Sequence, residues 1–173
     1  MVRAALATKK RIGQGPRPAA AYVPAVSVLV GSLVAALPVI STSGWYPDFG
    51  FLVLIAWRLL RADAWPAWWA APLGFINDLL TGVPIGMSVT LWAAIMIVMD
   101  LVDRRTIWRD YWIEWALAAV LILAAETFEW WLAGLMGAAF AYQSILPPVI
   151  VSILAFPIVA GLVSRVDRWR LGR

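Results

Sequence analysis

The chain has 173 residues, 63% of them apolar, with 14 Lys and Arg against 10 Asp and Glu and no His or Cys. At a mean hydropathy of +0.82, it carries more hydrocarbon surface than a soluble fold of this length can bury, and the absent residue types exclude thiol nucleophiles, disulfides, imidazole bases and nearly all zinc chemistry. The net charge of +4 is no nucleic-acid signal, because the bases form four short clusters and no continuous stripe.

Those clusters are Arg3 to Arg17, Arg58 with Arg61, Arg104 to Arg109, and Arg165 to Arg173. The connections around Asp48, Thr81–Val83 and Gly137–Ser144 contain no base at all. Cationic loops stay on the cytoplasmic side of a membrane and base-free loops cross it. The alternation predicts an all-α integral membrane protein, a bundle of six transmembrane helices with both termini in the cytoplasm. Its parts are a basic tail over 1–21, the bundle over 22–164 and a basic end over 165–173.

In chain order, the tail is rich in Pro, Gly and Ala, lacks an apolar period and is expected to be disordered near anionic lipid. The first span is Tyr22–Ser41, with Pro24 in its first turn and Pro38 bending its outer end. It reads as an uncleaved anchor; cleavage near Ser41–Gly44 would leave five spans. The second runs from about Trp45 to Leu60, with Pro47 and Asp48 at its start, and the third from Trp65 to Leu80 behind Pro66. Each has roughly 16 residues, below the ~20 of a full crossing. A re-entrant hairpin is the alternative, but it would drive Arg58, Arg61 and Asp63 into the bilayer. Short crossings with snorkelling Arg stems cost less. The fourth span is Pro84–Val102, the fifth about Trp112–Met136 and the sixth Leu146–Ser164. Trp45, Trp65, Trp108, Trp112 and Trp169 sit at the expected interfaces, while Trp57, Trp92 and Trp115 are expected on packed or lipid-facing surfaces.

Six of the ten acidic residues lie near the Arg clusters. Asp63, Asp103, Asp110 and Asp167 read as solvated salt-bridge partners, and Asp100 and Glu114 are placed to contact the same arginines. Asp48, Asp78, Glu126 and Glu129 lie at the opposite, outer end. Gly74 and Asp78 share a helix face, so that a neighbouring helix can approach the Gly74 backbone while Asp78 finds a buried partner. Gly82 allows a tight turn, Pro84 starts the next helix and Gly86 permits close packing. Asp78 is then either a cap within this turn or part of a partner or ligand site. Glu126 and Glu129 also share a face, Glu126 about two-thirds of the way across the core and Glu129 near the outer interface with Trp130 and Trp131. They are candidates for an intramembrane polar site, or else a protonated carboxyl within the bundle and a wet interfacial group. No His stands near a Ser, and neither a nucleophile elbow nor a phosphate loop is present. The flanking Gly pattern of an intramembrane aspartyl protease is also missing. The reading is of a protein that is not an enzyme and uses no metal or cofactor.

The stretch Gly74 to Gly86, with its Gly-x-x-x-Asp, a Gly and Pro-x-Gly, resembles the signature of the rod shape-determining protein MreD family. Pro47-Asp48, followed by apolar residues and Trp57-Arg58, is similar to the start of that family's second span. The resemblance covers about residues 22–170; the long basic tail and the pair Glu126 and Glu129 depart from it. It implies a fold similar to the six-helix substrate-binding subunits of vitamin transporters. It also implies a non-enzymatic component of the bacterial elongation machinery in the inner membrane. The partners implied are MreC and, through it, MreB, RodA and its penicillin-binding transpeptidase, with membrane lipid and without nucleic acid. Pro47, Asp48, Gly74, Asp78, Gly82, Pro84 and Gly86 are the signature positions carried over. Docking of the MreC anchor is expected, with Gly31, Ala35 and Gly161 as small residues for close helix contact. A subunit binding or transporting a small solute remains the second reading, with Asp48, Asp78, Glu126, Glu129, Trp130 and Trp131 forming its outer pocket.

Overall fold

The structure, a computed structural model, describes residues 20–37, 46–61, 66–103, 110–138 and 141–171. Most of the 1–21 tail, Pro38, Ser41–Gly44, Trp45, Asp63, Trp65, the Arg104–Arg109 cluster and the last two residues lie outside that set. The described residues form six α-helices and two short 3₁₀ turns, with no strand among them. The helices are α1 (Val23–Ala35), α2 (Phe49–Leu60), α3 (Ala70–Thr81), α4 (Met87–Asp103), α5 (Tyr111–Leu135) and α6 (Leu146–Arg170). The 3₁₀ turns Ala67–Trp69 and Tyr142–Ile145 lead into α3 and α6. Two stretches, Tyr111–Leu135 and Tyr142–Arg170, are long and apolar enough to cross a membrane.

Local chemistry sets several helix ends. Pro stands in the first turn of both α1 and α6, where its missing N–H is no loss. Asp48 and Asp110 cap α2 and α5 through their side chains. The last helix runs six residues past the expected Ser164 end, to Arg170. The extension holds because Asp167 and Arg170 find partners inside the bundle, as described below.

Successive helices run in opposite directions, so each connection returns the chain to one of two ends. Ala20, Arg58, Arg61, Asp100 and Asp167 meet at one end through their hydrogen bonds. Asp48, Asn77 and Ser88 meet at the other. We call these the arginine end and the acidic end. At the centre lies α2, nine of whose twelve residues are buried, packed against α1, α6 and α4. The α3–α4 and α1–α2 pairs make the most extensive contacts. Trp57 and Trp92 are both fully buried, and Phe51 stacks on Trp92 at a ring distance of 6.4 Å. By contrast α5 buries only Ala118, Leu121, Ile122 and Ala125 of its length and lies at the periphery.

The arginine end departs from the sequence expectation in two places. Arg58 does not snorkel: its side chain is 3% exposed and pairs with Asp100 on α4. Asp167 is no solvated partner either. It is 7% exposed and accepts from Arg61 Nε at 2.9 Å and Arg170 Nε at 2.7 Å. Arg170 in turn lies over the Trp57 ring at 5.1 Å and donates to the Ala20 carbonyl at 3.1 Å. Trp57 Nε1–H donates to Ser27 Oγ at 2.7 Å. Arg58, Asp167 and Arg170 are buried and pair within the bundle, whereas Arg61 and Asp100 stay partly exposed. The salt bridges join the end of α2 to the ends of α4 and α6, and the hydrogen bonds to Ala20 and Ser27 add the start of α1.

The outward faces are apolar. On α6, Ile150, Leu154, Ile158 and Leu162 recur every fourth residue and are 54%, 64%, 69% and 56% exposed. Val26 and Val30 repeat the pattern on α1. Between these two stripes lies an apolar groove of about 880 Å³, floored by Phe49 and Val53 of α2 and running from Tyr22 and Trp169 to Val34.

Candidate functional site

The acidic end is built around the first turn of α4. The leading N–H groups of a helix have no partner within it and carry the positive end of its dipole. Here Asp78 of α3 supplies both missing acceptors. Its Oδ2 accepts from Gly86 N at 2.7 Å and its Oδ1 from Ser88 N at 2.8 Å, with the residue 1% exposed. One turn earlier, α3 comes so close to α4 that a Cβ on Gly74 would lie 2.8 Å from the Ser88 carbonyl and the Val89 nitrogen. Gly74 and Asp78, on one face of α3, thus clamp a single turn of α4.

The turn between the two helices uses the remaining signature residues. Gly82 ends α3 at φ 73°, with its N–H returning to the Asp78 carbonyl at 3.0 Å. Pro84 lies within the turn and does not start α4, which begins at Met87; the Pro84 carbonyl accepts from Met87 N at 3.1 Å. Gly86 does not serve close packing, since nothing lies within 4 Å of a Cβ placed there. It is required by its φ of 99°, a conformation other residues avoid.

Asp48 belongs to the same network. Pro47 is buried just ahead of it, and Asp48 Oδ1 caps α2 by accepting from Phe51 N at 3.1 Å. Its Oδ2 accepts from Asn77 Nδ2 at 3.0 Å, and the same amide donates to Ser88 Oγ at 3.1 Å. Asn77 therefore joins the start of α2 to the start of α4. Gly50 sits inside this cluster: a Cβ there would collide with Ser32 Oγ and come within 3.1 Å of Asn77 Oδ1. Ser32, Gly50, Asn77 and Ser88 were not singled out by sequence reasoning. The available signal was an amide beside Asp78 in an apolar run, with a small hydroxyl residue eleven positions after that amide.

Glu126 and Glu129 project from α5 toward this network. Both line a cavity of about 330 Å³ that also includes Asp48, Asn77, Thr81 and Ser88. Both also line a second cavity of about 430 Å³, walled by Met87, Trp130 and Met136. Trp131 turns away and is 52% exposed, so it does not join Trp130 here. Among the described residues no group of three or more His, Cys, Asp or Glu is arranged to hold a metal ion.

The small residues expected to meet a partner have separate roles. Gly31 is already used within the bundle, since a Cβ on it would lie 2.8 Å from the Phe49 carbonyl. Ala35 is 8% exposed, whereas Gly161 faces outward with open space around it. Comparisons with protein-family models, with curated proteins and with solved structures found no match to this chain.

Proposed function

We propose that the protein is a six-span member of the MreD family in the bacterial inner membrane, with both termini in the cytoplasm. In this reading it is a non-enzymatic scaffold of the elongation machinery. It binds the membrane anchor of MreC and, through MreC, helps organise MreB, RodA and its transpeptidase during peptidoglycan synthesis. The alternating basic clusters support the topology. So do the outward apolar stripes on α1 and α6, which an aqueous surround would penalise. The helices shorter than a full crossing are compatible with local thinning of the bilayer around the bundle.

The observation that carries the scaffold reading is the apolar groove between α1 and α6. It runs along about 18 Å of α1 at ~1.5 Å per residue, and its lining offers hydrocarbon with almost no polar atom. Inside a membrane such a surface suits a partner helix, held by close packing rather than by directed polar groups. The signature residues support the same reading from inside, because Asp78 is engaged by two backbone N–H groups and so maintains the bundle.

Co-purification of MreC from detergent-solubilised membranes tests this. Val30→Trp with Ile158→Trp fills the groove at positions 53% and 69% exposed, outside the packed core. That double variant is expected to lose MreC, while Val120→Trp, on the 62% exposed face of α5, retains it. Full retention by the groove variant, or no MreC with the wild type, would overturn the reading. The second reading, a subunit binding or transporting a small solute, is favoured by one observation, the polar cavity between Asp48 and Glu129.

A further inference from the structure

The last helix, α6, carries a proline in its interior, Pro157. In an α-helix the N–H at that position donates to the carbonyl four residues back, here Ile153, and proline has no N–H to give. Inside a bilayer no water takes its place, so the freed carbonyl needs a donor from a neighbouring helix. That donor is Trp115 of α5, whose Nε1–H donates to the Ile153 oxygen at 3.1 Å. The indole thus fills the backbone position that Pro157 leaves empty.

The bond bears on the groove between α1 and α6. At its C-terminal end α6 is anchored by Asp167, which accepts from Arg61, and by Arg170, which donates to the Ala20 carbonyl. Between that anchor and Ile153 lie Ile158, Val159, Leu162, Val163 and Val166, with which α6 walls the groove. The wall is therefore held at two points, and the Trp115 bond is one of them. Beside the proline ring lies a cavity of about 60 Å³, bounded by Leu59, Trp115, Phe156, Pro157 and Ala160. It gives α6 room to shift when the bond is lost, at the one turn where the helix lacks its own hydrogen bond.

We propose that Trp115 is a positioning residue for the groove: by supplying the donor that Pro157 lacks, it sets the course of α6 and so the width in which the partner helix is received. Trp115 does not line the groove and acts on it only through α6. The inference deepens the scaffold reading and rests on it for the identity of the groove's occupant.

The test measures the groove directly, on the full chain in maltoside detergent. The chain has no Cys, so spin labels on Val30→Cys and Ile158→Cys, groove positions 53% and 69% exposed, attach there alone. Trp115→Phe keeps an aromatic ring and removes the donor. It is expected to shift or broaden the distance distribution between the labels and to lower Tm by about 2–12 °C, the effect of leaving one buried carbonyl without a partner. Pro157→Ala restores the backbone N–H, so the Trp115→Phe/Pro157→Ala variant should return to the wild-type distances. A role for the ring in packing alone predicts the same loss with Pro or Ala at position 157. MreC retention should follow the distances, lost with Trp115→Phe and recovered in the double variant. If Trp115→Phe alone does not fold, Pro157→Ala with and without Trp115→Phe decides: equal distances and Tm support the proposal, and unequal ones refute it. Unchanged distances in Trp115→Phe, a change that Pro157→Ala fails to reverse, or full MreC retention by Trp115→Phe would each overturn it. No MreC with the wild type would end the scaffold reading, while the distances still decide the role of Trp115.

Discussion

Replacing Asp78 by Ala removes both acceptors that hold the first turn of α4. The carboxylate accepts from Gly86 N at 2.7 Å and Ser88 N at 2.8 Å, and the side chain is 1% exposed, so no bulk water replaces it. A hydrogen bond to a charged group contributes about 1.5–3 kcal/mol, and a buried N–H left without a partner adds to the loss. Two such bonds put the cost of Asp78→Ala at about 3–5 kcal/mol. For a domain of this size that corresponds to a Tm lower by roughly 6–20 °C. Asp78→Asn, which keeps one acceptor oxygen, should lose about half as much. Asp110→Ala removes an exposed cap, whose Oδ1 accepts only from Tyr111 N at 2.9 Å, and should move Tm far less. The assay is thermal unfolding of the three purified variants in one detergent, followed by Trp fluorescence. An Asp78→Ala protein melting within about 2 °C of wild type, or no lower than Asp110→Ala, would refute the capping argument. MreC association measured on Asp78→Ala has meaning only after this control, because loss of the α4 turn would disturb any surface of the bundle.

Gly74→Leu should separate α3 from α4, since its first side-chain atom would already lie 2.8 Å from the Ser88 and Val89 backbone; a monodisperse variant with wild-type Tm would contradict that contact. Asp100→Ala removes a carboxylate that pairs with the 3% exposed Arg58 and should cost about 1.5–3 kcal/mol. Adding Arg58→Met should recover much of that loss in the same melting experiment, and an additive double variant would argue against the pair. A reporter fused after Gly137 should be active only on the outer side of the membrane, and cytoplasmic activity would end the six-span topology.

The helical class was legible in the sequence, because the apolar stretches are bounded by Pro, Asp and Gly at positions where helices start and stop. The placement of Gly74 and Asp78 on one face followed from four-residue spacing alone. The partition of charge was equally legible, since it needs only the positions of the bases. What the sequence left open is which way each helix turns about its own axis. A helix apolar nearly all round has no polar face to mark its outside, so periodicity does not tell a buried residue from an exposed one. The tertiary structure decided that Arg58 and Asp167 point inward, that Gly31 is used against Phe49 and that Trp131 turns away from Trp130. It also chose the partners of the polar groups: Arg61 meets Asp167 from 106 residues away, and Asp48 meets Asn77 from 29. Such pairings depend on which helices pack together. With little alternative inside the bundle, a buried donor or acceptor pairs with whichever complementary group the packing brings within reach, and Ser32 Oγ and Asn77 Oδ1 find none.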